Sequence, residues 1–446
     1  FIAAMVISLG SGLMLYGVTR SHYRELKPRD GFLLVSTVWA LMAAIATIPL
    51  LLVYDTMSFT DAFFETMSGL TTTGATVLTG LEHLPASVNL WRHALNWFGG
   101  MGIIVFAVAI LPLLGVGGMQ LYKAETPGPM KDSKMTPRIA ETAKGLWGVY
   151  AGITVCCALS FRWAGMTWLD AIMHTFSTMG LGGFSSHDAS FGYFNSVAIE
   201  CVTIVFMLIA GMNFATHFLA VTGRSLRPYR SDPEASWFLA VTLGSVLAIA
   251  VFLVWHGIYL DFWVALRHSA FNVVSIATTT GFASVDYALW PMFAPLWMLF
   301  LCSFATSAGS TGGGIKMIRA LLLYKQVNRE LVRAIHPNAV YQVRIGSEVV
   351  PVNILFAVLA FGFVYVACIV SMTLLLSLSG LDIITAFSAV VASINNTGPG
   401  LGKVGPSTTF TVLNDFQTWV CTFAMLLGRL EIFTLLVVLT PAFWRK

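Results

Sequence analysis

The chain has 446 residues and a formal net charge of +4; 57% of its residues are hydrophobic, only 10% are charged, and the mean hydropathy is +0.79. Soluble domains carry about 25% charged residues, so this chain has too little polar material to cover the surfaces of soluble domains. The composition therefore excludes a water-soluble protein and predicts a polytopic membrane protein.

Stretches almost without charge recur along the chain, at 31–54, 103–114, 240–255 and 354–378. About 20 apolar residues are enough to cross a bilayer roughly 30 Å thick. Most of the 25 Lys and Arg residues fall in clusters between such stretches, at 20–29, 123–144, 224–230, 316–344 and 445–446. Short loops rich in Lys and Arg stay in the cytoplasm, so an even number of crossings is expected between consecutive clusters. Basic clusters can also bind nucleic acid, but their regular alternation with apolar spans favours topology, and no nucleic-acid partner is expected.

Each interval between clusters holds two apolar spans around a middle rich in Gly, Thr and Ser. This pattern predicts an all-α polytopic membrane protein with four repeats of outer helix, pore loop and inner helix. We expect a pseudo-fourfold arrangement around one ion pore, with an extra N-terminal helix, and a further stretch before Phe1. The predicted boundaries are 1–29 for the N-terminal helix and its basic link, then 30–129, 130–230, 231–344 and 345–446 for the repeats.

The four middles, at 61–74, 170–183, 269–281 and 386–398, align as an internal repeat. In each, about ten amphipathic residues lead into a small polar run that ends in glycine. Ten helical residues span roughly 15 Å, half of a bilayer, which favours a re-entrant pore helix over a crossing. Non-helical backbone at this depth must be buried in protein or line a water-filled path.

Four such loops around an axis would form rings of carbonyl oxygens, which can replace the hydration shell of a monovalent cation. Glycine permits the backbone angles that turn successive carbonyls the same way, and the pore helices would point their negative C-terminal ends at the pathway. A single Thr-Thr-Thr-Gly run is usually an ordinary turn. Four runs in equivalent positions favour a selectivity filter, with 71–74 and 278–281 as filter strands.

The second span of each repeat is interrupted by small or polar residues, at 96–102, 210–217, 307–314 and 427–431. In the first two repeats, tight helix packing explains the glycines equally well. The third run has eight consecutive small residues, four of them glycine, and each glycine costs a helix about 1 kcal/mol. It predicts a flexible loop beneath the filter that could obstruct the pathway.

Arg429 lies in the last apolar span, where a central arginine costs at least about 2.5–3.5 kcal/mol. The functional interpretation places its charge below the filter as an electrostatic barrier. The structural alternative pairs it with Glu431 or a neighbouring carbonyl. The remaining charged or polar side chains of the spans are expected at span ends or in pore-helix packing and not at a metal site: Arg162, Arg267, His174 and His268.

Five stretches, at 99–112, 127–144, 309–314, 396–402 and 428–435, resemble the bacterial TrkH/TrkG potassium-uptake subunits. These belong to the wider superfamily of Trk, Ktr and HKT potassium transporters, and the resemblance runs from about Leu26 to the C-terminus. It implies a homodimer in the bacterial inner membrane, with one pore per protomer and K⁺ as the transported ion. It also implies no organic cofactor in this chain and a cytoplasmic TrkA-type ring that binds a nucleotide and gates the pore.

The resemblance assigns the filter to three residues in each repeat: Thr72, Thr73, Gly74; Leu181, Gly182, Gly183; Thr279, Thr280, Gly281; Asn396, Thr397 and Gly398. It assigns the gate to Ala308, Gly309, Ser310, Thr311, Gly312, Gly313, Gly314 and Arg429. The chain departs from the family in two ways. One extra helix is visible before Arg20 where two are usual, and repeat two carries Met-Gly-Leu-Gly-Gly, which would act through carbonyls and not hydroxyls.

Three alternatives differ in class from a potassium channel. A secondary transporter would couple K⁺ to Na⁺ or H⁺, and such proteins usually keep buried carboxylates or broken-helix sites at the midplane. Glu65, Glu200 and Glu431 are the candidate acids, with Glu65 expected in the pore helix and Glu431 beside Arg429. Sodium selectivity is disfavoured because serine replaces a filter glycine in sodium-selective relatives, and all four glycines are present. A membrane enzyme is disfavoured because no paired-carboxylate, HExxH, GxSxG or P-loop pattern occurs.

Overall fold

The computed structural model describes residues 1–21, 28–105, 136–346 and 348–445. Several features of the sequence analysis lie outside these residues: Arg24, Lys27, Lys123, Lys131, Lys134, Lys446, the apolar residues 106–114, and the stretch 127–135. Within them, the chain is built from helices, with five short 3₁₀ turns and one small antiparallel ribbon that pairs Arg344–Ile345 with Glu348–Val349.

Each repeat begins with an outer helix, and these helices supply most of the long apolar spans. The outer helices are Pro28–Ala46 continued by Ile48–Val53, Thr136–Trp163, Pro233–Trp255 and Val352–Leu378. Together with the N-terminal helix Ile2–Thr19, they provide the five described stretches that are long and apolar enough to cross a bilayer. Their outward faces carry large exposed apolar side chains such as Phe363 and Leu374, as expected for surfaces in contact with lipid.

Each outer helix is followed by a shorter pore helix: Phe59–Leu70, Trp168–Gly180, Phe262–Ala277 and Ile383–Ile394. The N-terminus of each one is capped by a side chain that accepts a backbone N–H of the first turn; the capping residues are Ser58, Thr167, Asp261 and Asp382 respectively. Such caps satisfy amides that would otherwise be left without a partner at a helix start. Each pore helix then ends directly in its glycine-containing loop.

The inner helices differ among the repeats. They are Ala86–Val105 in repeat one, Val197–Ala210 with Phe214–Thr222 in repeat two, Phe293–Phe304 with Met317–Ile335 in repeat three, and Asp415–Arg429 with Phe433–Leu439 in repeat four. The two parts bend by 93° in repeat two and by 117° in repeat four. In repeat one the helix continues through residues 96–102, so of the two interpretations left open for its glycines an interruption is wrong and tight helix packing remains. The short helices Arg227–Ser231 and Pro441–Trp444 follow the inner helices of repeats two and four.

Tight packing explains the glycines of the first inner helix. A Cβ atom on Gly99 would lie 1.9 Å from the carbonyl oxygen of Leu70, at the C-terminal end of the first pore helix. Gly428 has the same relation to repeat four, since its Cβ would lie 1.8 Å from the carbonyl oxygen of Ile394. Glycine is needed at both positions because any side chain would push the inner helix away from the end of the pore helix.

The core is divided into two large apolar clusters. One joins repeats two and three through residues such as Tyr150, Phe191 and Phe271. The other joins repeats one and four through residues such as Phe64 and Met425. The repeats are therefore packed against one another as neighbours, with the pore helices inside and the outer helices towards the lipid. The N-terminal helix lies apart from this core: of its residues only Ala4 is buried.

Candidate functional site: four glycine loops above an intramembrane loop

The four glycine loops, residues 71–74, 180–183, 278–281 and 395–398, share one backbone conformation. The glycines Gly74, Gly183, Gly281 and Gly398 all have positive φ, between 67° and 95°. The residue two positions before each glycine also has positive φ, although none is glycine: Thr72, Leu181, Thr279 and Asn396 lie between 53° and 61°. A non-glycine residue in this region is uncommon, and four at equivalent positions show that the loops are structural copies.

The loops pack against one another in a closed ring. A Cβ atom built on Gly74 would lie 2.4 Å from the Gly182 carbonyl oxygen, and one on Gly183 would lie 2.1 Å from that of Thr280. A Cβ on Gly281 would lie 2.0 Å from the Thr397 oxygen, and one on Gly398 would lie 2.7 Å from that of Thr73. Each glycine thus faces a carbonyl of the next loop, and the fourth returns to the first.

Hydrogen bonds to the C-terminal ends of the pore helices hold these loops in place. In every repeat the amide before the filter glycine donates to a carbonyl in the last turn of the pore helix, as Thr73 does to Ser68 at 2.8 Å and Thr280 to Ser275 at 2.8 Å. The four negative helix ends therefore converge on the ring, where they favour a cation. In loops one and three, a second hydroxyl bond joins Thr71 to Thr73 and Thr278 to Thr280.

A cavity of about 210 Å³ opens on the side of the ring that the pore-helix caps face. All four filter glycines line it, together with the hydroxyl-bearing residues of the loops that follow, so it is the outer mouth of the ring.

The loop at residues 308–314, which the sequence predicts as a gate and which we call the gate loop, lies on the opposite side of the ring. The backbone N–H of Gly313 donates to Thr279 Oγ1 at 2.8 Å, and Thr311 Oγ1 donates to the Met179 carbonyl at 3.0 Å. A Cβ on Gly313 would lie 1.9 Å from the Asn395 carbonyl oxygen. The loop therefore contacts the glycine loops or pore-helix ends of repeats two, three and four, directly beneath the ring.

Arg429, in repeat four, connects the gate loop to the first inner helix. Its side chain is buried, and its two Nη atoms donate to the carbonyl oxygens of Thr311 in the gate loop and Gly99 in the first inner helix, both at 2.9 Å. Of the two partners in the structural alternative, a neighbouring carbonyl is confirmed and the pairing with Glu431 is wrong. Glu431 instead binds Arg319 at 2.7 Å, which leaves the guanidinium of Arg429 balanced by carbonyl dipoles.

Lys316 is a residue that the sequence reasoning missed. It lines a cavity of about 40 Å³ beside the gate loop, together with Arg429 and Glu431, and its ammonium donates to the Gly312 carbonyl. Its φ of 78° is strained for a residue with a side chain. The signal in the sequence was the position of a lysine two residues after the glycine run.

Glu234 was also missed. This buried carboxylate, in the first turn of the third outer helix, accepts backbone N–H groups from Ala308 at 3.1 Å and Ile318 at 2.8 Å. It thus ties down both ends of the segment that contains the gate loop.

The other charged side chains near the spans are paired. Arg267 donates to both oxygens of Glu200, at 2.7 and 2.8 Å, so it forms an ion pair and does not extend freely to the interface. Arg162 lies over the Trp168 ring at 5.8 Å. His174 is fully buried in the second pore helix. In the part of the chain that the structure describes, no group of three His, Cys, Asp or Glu side chains could hold a metal ion.

The most unexpected pair is Glu65 with Arg92, which lies behind the first glycine loop. Arg92 Nε donates to Glu65 Oε1 at 2.7 Å, and both side chains are almost fully buried. The sequence placed Glu65 in the pore helix correctly but gave no role to Arg92, because it lies in a span whose flanking residues are polar enough to suggest an interface.

Comparison with known proteins gives one consistent result. The sequence model of a family described as "TrkH: Cation transport protein" matches residues 1–446. The chain is 48% identical over 447 residues to the Trk system potassium uptake protein TrkH of Escherichia coli strain K12, and 40% identical over 448 residues to the TrkG protein of that strain. Each alignment covers 100% of this chain and 92% of the relative.

A solved structure is similar as well. The crystal structure of the potassium transporter TrkH from Vibrio parahaemolyticus superimposes with a TM-score of 0.92 at 46% identity, covering 100% of this chain and 92% of that one. These matches confirm the predicted family and fold class and make the chain a transport protein and not an enzyme. The chain belongs to the TrkH family of cation transport proteins, which are multi-pass proteins of the bacterial inner membrane.

Proposed function

We propose that this protein carries K⁺ into the cell through the ring of glycine loops, with the four repeats bounded as predicted from the sequence. The observation that carries the proposal is the closed ring itself, in which each filter glycine faces a carbonyl oxygen of the next loop. Carbonyl rings of this kind replace the hydration shell of a monovalent cation. The relatives are named as potassium uptake proteins, which supports K⁺ as the ion.

The proposed filter consists of the backbone oxygens at the predicted positions of all four loops. Loop two takes part without hydroxyl groups, because Gly180 and Gly182 stand where loop one has Thr71 and Thr73. The Leu181 side chain packs into the apolar core, so its residue can offer only its backbone. A K⁺ ion would enter from the outer mouth, lose water at the carbonyls and arrive above the gate loop.

The proposed gate is the loop 308–314 together with Arg429. The loop is held at Thr311 by Arg429 and at Gly313 by the hydroxyl of Thr279, and the space beside it is a small cavity of about 40 Å³. A K⁺ ion passing this point would displace the loop and meet the charge of Arg429. Opening therefore requires the Arg429–Thr311 hydrogen bond to break.

Transport coupled to Na⁺ or H⁺ is the alternative. Its three candidate carboxylates each face an arginine: Glu65 pairs with Arg92, Glu200 with Arg267 and Glu431 with Arg319. A carboxylate that is already neutralised by an arginine is a poor site for a coupling ion. These ion pairs favour passive flux of K⁺ down its gradient.

Cation flux into proteoliposomes tests the proposal. For the purified protein we expect K⁺ and Rb⁺ flux well above Na⁺ and Li⁺ flux, because a carbonyl ring sized for K⁺ coordinates the smaller ions poorly. Flux should follow the K⁺ gradient alone and should not change when a pH or Na⁺ gradient is imposed. Equal flux of all four cations would contradict the proposed filter, and dependence on a second gradient would establish coupling.

We further propose that two copies associate with one pathway each, and that a cytoplasmic TrkA-type ring binding a nucleotide controls the gate. The third inner helix, Met317–Ile335, supports this, since it begins three residues after the gate loop. It carries exposed Tyr324, Leu331 and Arg333 on its surface. A partner that binds this helix and moves it would therefore displace the gate loop.

Neutralising Arg329 and Arg333 together should weaken binding of the regulatory ring by about three- to tenfold, as is typical for the loss of two charges at an interface. Both arginines lie beside the exposed Glu330, at 3.3 and 3.9 Å; Arg333 is exposed, whereas the side chain of Arg329 is largely buried, so folding of the variant is checked by its melting temperature. Binding is measured by titrating the ring against detergent-purified protein. Lys403→Gln, on the opposite face, is the control. Unchanged affinity in the Arg329→Gln/Arg333→Gln variant would remove this helix face from the docking surface.

A further inference from the structure

In every repeat, one side chain ties the pore helix to the strand that leaves the filter. Glu65, His174 and Asn272 each lie nine residues before their filter glycine, and Ser388 lies ten residues before Gly398. His174 Nε2 is 3.0 Å from Ser185 Oγ, Asn272 Nδ2 is 3.0 Å from Ser284 Oγ, and Ser388 Oγ accepts the Leu401 N–H at 2.8 Å. These side chains link the same two segments in each repeat, but the groups that form the links differ in chemistry.

The tie of repeat one is ionic. The Glu65 carboxylate accepts from Thr76 Oγ1 and from the Val77 N–H, both at 3.0 Å, on the strand that leaves loop one. It is also the counterion of Arg92, which reaches Thr76 Oγ1 at 3.2 Å. The carboxylate and the guanidinium are thus both desolvated and bound to the same hydroxyl. Hydrogen bonds to charged groups in such a setting are stronger and more directional than neutral ones.

Arg92 also extends to loop two. Its Nη1 donates to the Ser185 carbonyl at 3.4 Å, and its guanidinium lies 4.3 Å from the centre of the Phe184 ring. Phe184 and Ser185 are the two residues that follow the filter glycine Gly183. One side chain therefore contacts the strands that leave two adjacent loops.

Loop two is the loop that needs support from a neighbour. Loops one and three each have an internal hydroxyl bond, between Thr71 and Thr73 and between Thr278 and Thr280. The equivalent positions in loop two are Gly180 and Gly182, which have no side chain to form such a bond. Glycine also carries the largest conformational freedom of any residue. Loop two therefore lacks the internal bond that restrains loops one and three.

We propose that Glu65 and Arg92 are a positioning pair that fixes the spacing between loops one and two and thereby sets how well the ring distinguishes K⁺ from Na⁺. The inference rests on the proposed filter, and it makes the selectivity of that filter depend on how repeats one and two are held together. Arg92 also lines the outer mouth, but neither residue belongs to a glycine loop; both act on the loops through Thr76, Val77 and Ser185. Loss of the pair lets loop two relax towards the smaller ion, so Na⁺ entry rises relative to K⁺.

The test compares K⁺/Na⁺ flux ratios in proteoliposomes for the wild-type protein and the double variant Glu65→Gln/Arg92→Met. Removing both charges together avoids leaving one buried ion alone, which would itself destabilise the fold. We expect the ratio to fall by about fivefold or more, which corresponds to the loss of one charge-assisted hydrogen bond. The matched control is Glu200→Gln/Arg267→Met, which removes an ion pair whose hydrogen bonds are made with Asn195 and not with a filter strand.

A purely structural role would lower the melting temperature and the total flux of both double variants but leave their flux ratios unchanged, and that result would overturn the inference. If Glu65→Gln/Arg92→Met does not fold, the K⁺/Na⁺ flux ratio of the Arg92→Lys variant tests the inference instead. Lysine keeps the charge next to Glu65 but cannot reach Thr76 and Ser185 at once. The inference expects an intermediate ratio, and a wild-type ratio contradicts it. A wild-type protein without selectivity would overturn both the proposed filter and this inference, whereas a selective wild-type protein whose ratio both double variants keep would overturn the inference alone.

Discussion

Replacing Gly74 with serine is expected to lower the K⁺/Na⁺ flux ratio by tenfold or more. A Cβ atom at this position would lie 2.4 Å from the Gly182 carbonyl oxygen, and the φ of 81° disfavours any residue with a side chain. The backbone must therefore shift, and the carbonyls of loops one and two shift with it. Conformational strain and the clash together exceed about 1.4 kcal/mol, the free energy of a tenfold change. The measurement is paired flux of K⁺ and Na⁺ in proteoliposomes.

The ring predicts an order among the four glycines. The clearance for an added Cβ is 2.0 Å at Gly281, 2.1 Å at Gly183 and 2.7 Å at Gly398. Serine should therefore lower the K⁺/Na⁺ flux ratio most at Gly281 and Gly183, and least at Gly398. Gly152→Ser is the control, because nothing lies within 4 Å of a Cβ on that exposed residue of the second outer helix. If all four ring variants fold and keep the wild-type ratio, the loops are scaffold and the pathway lies elsewhere.

Arg429→Ala should raise K⁺ flux at a fixed driving force by about tenfold or more. The substitution removes a buried positive charge next to the pathway and releases the gate loop at Thr311. Repulsion between two unit charges about 6 Å apart amounts to about 3 kcal/mol at an effective dielectric constant of 20, so this charge is a substantial barrier. The rate of ⁸⁶Rb⁺ uptake into liposomes, normalised to protein content, measures the change.

Arg429→Lys separates charge from geometry. Lysine keeps the positive charge but cannot bond the Thr311 and Gly99 carbonyls as a planar fork, so an electrostatic barrier predicts flux near the wild-type level. Deleting two glycines of the gate loop should also raise flux, since it shortens the segment that lies under the ring. A fall in flux for folded Arg429→Ala, or unchanged flux after the deletion, would assign these residues to structure alone.

Pattern in the sequence was enough to predict the fold class. The apolar spans, the basic clusters and the four aligned glycine runs each repeat along the chain, and membrane thickness converts such lengths directly into crossings and re-entrant helices. The family was identified from the same residues. Interruptions of the inner helices were predicted less well. Residues 96–102 are helical, and Gly99 among them packs against Leu70. A local sequence pattern cannot reveal such a neighbour.

Charged partners were harder still. The sequence suggested Arg429 with Glu431, which are two residues apart, whereas the structure pairs Glu431 with Arg319, 112 positions away. It gave no role to Arg92, whose partner Glu65 lies 27 positions earlier. A buried ion chooses its partner by distance in space because desolvation makes an unpaired charge costly. Sequence separation carries no information about that distance between different helices.

The sequence alone therefore determined that the chain crosses a membrane, that it is built from four repeats, and which glycines end the re-entrant segments. These properties depend on hydrophobicity and on local backbone freedom, both of which are encoded residue by residue. Only the tertiary structure decided that the loops close into one ring, that Arg429 holds the gate loop, and that Arg92 spans two filter strands. Such contacts join residues from different repeats, and they exist only once the helices are packed side by side.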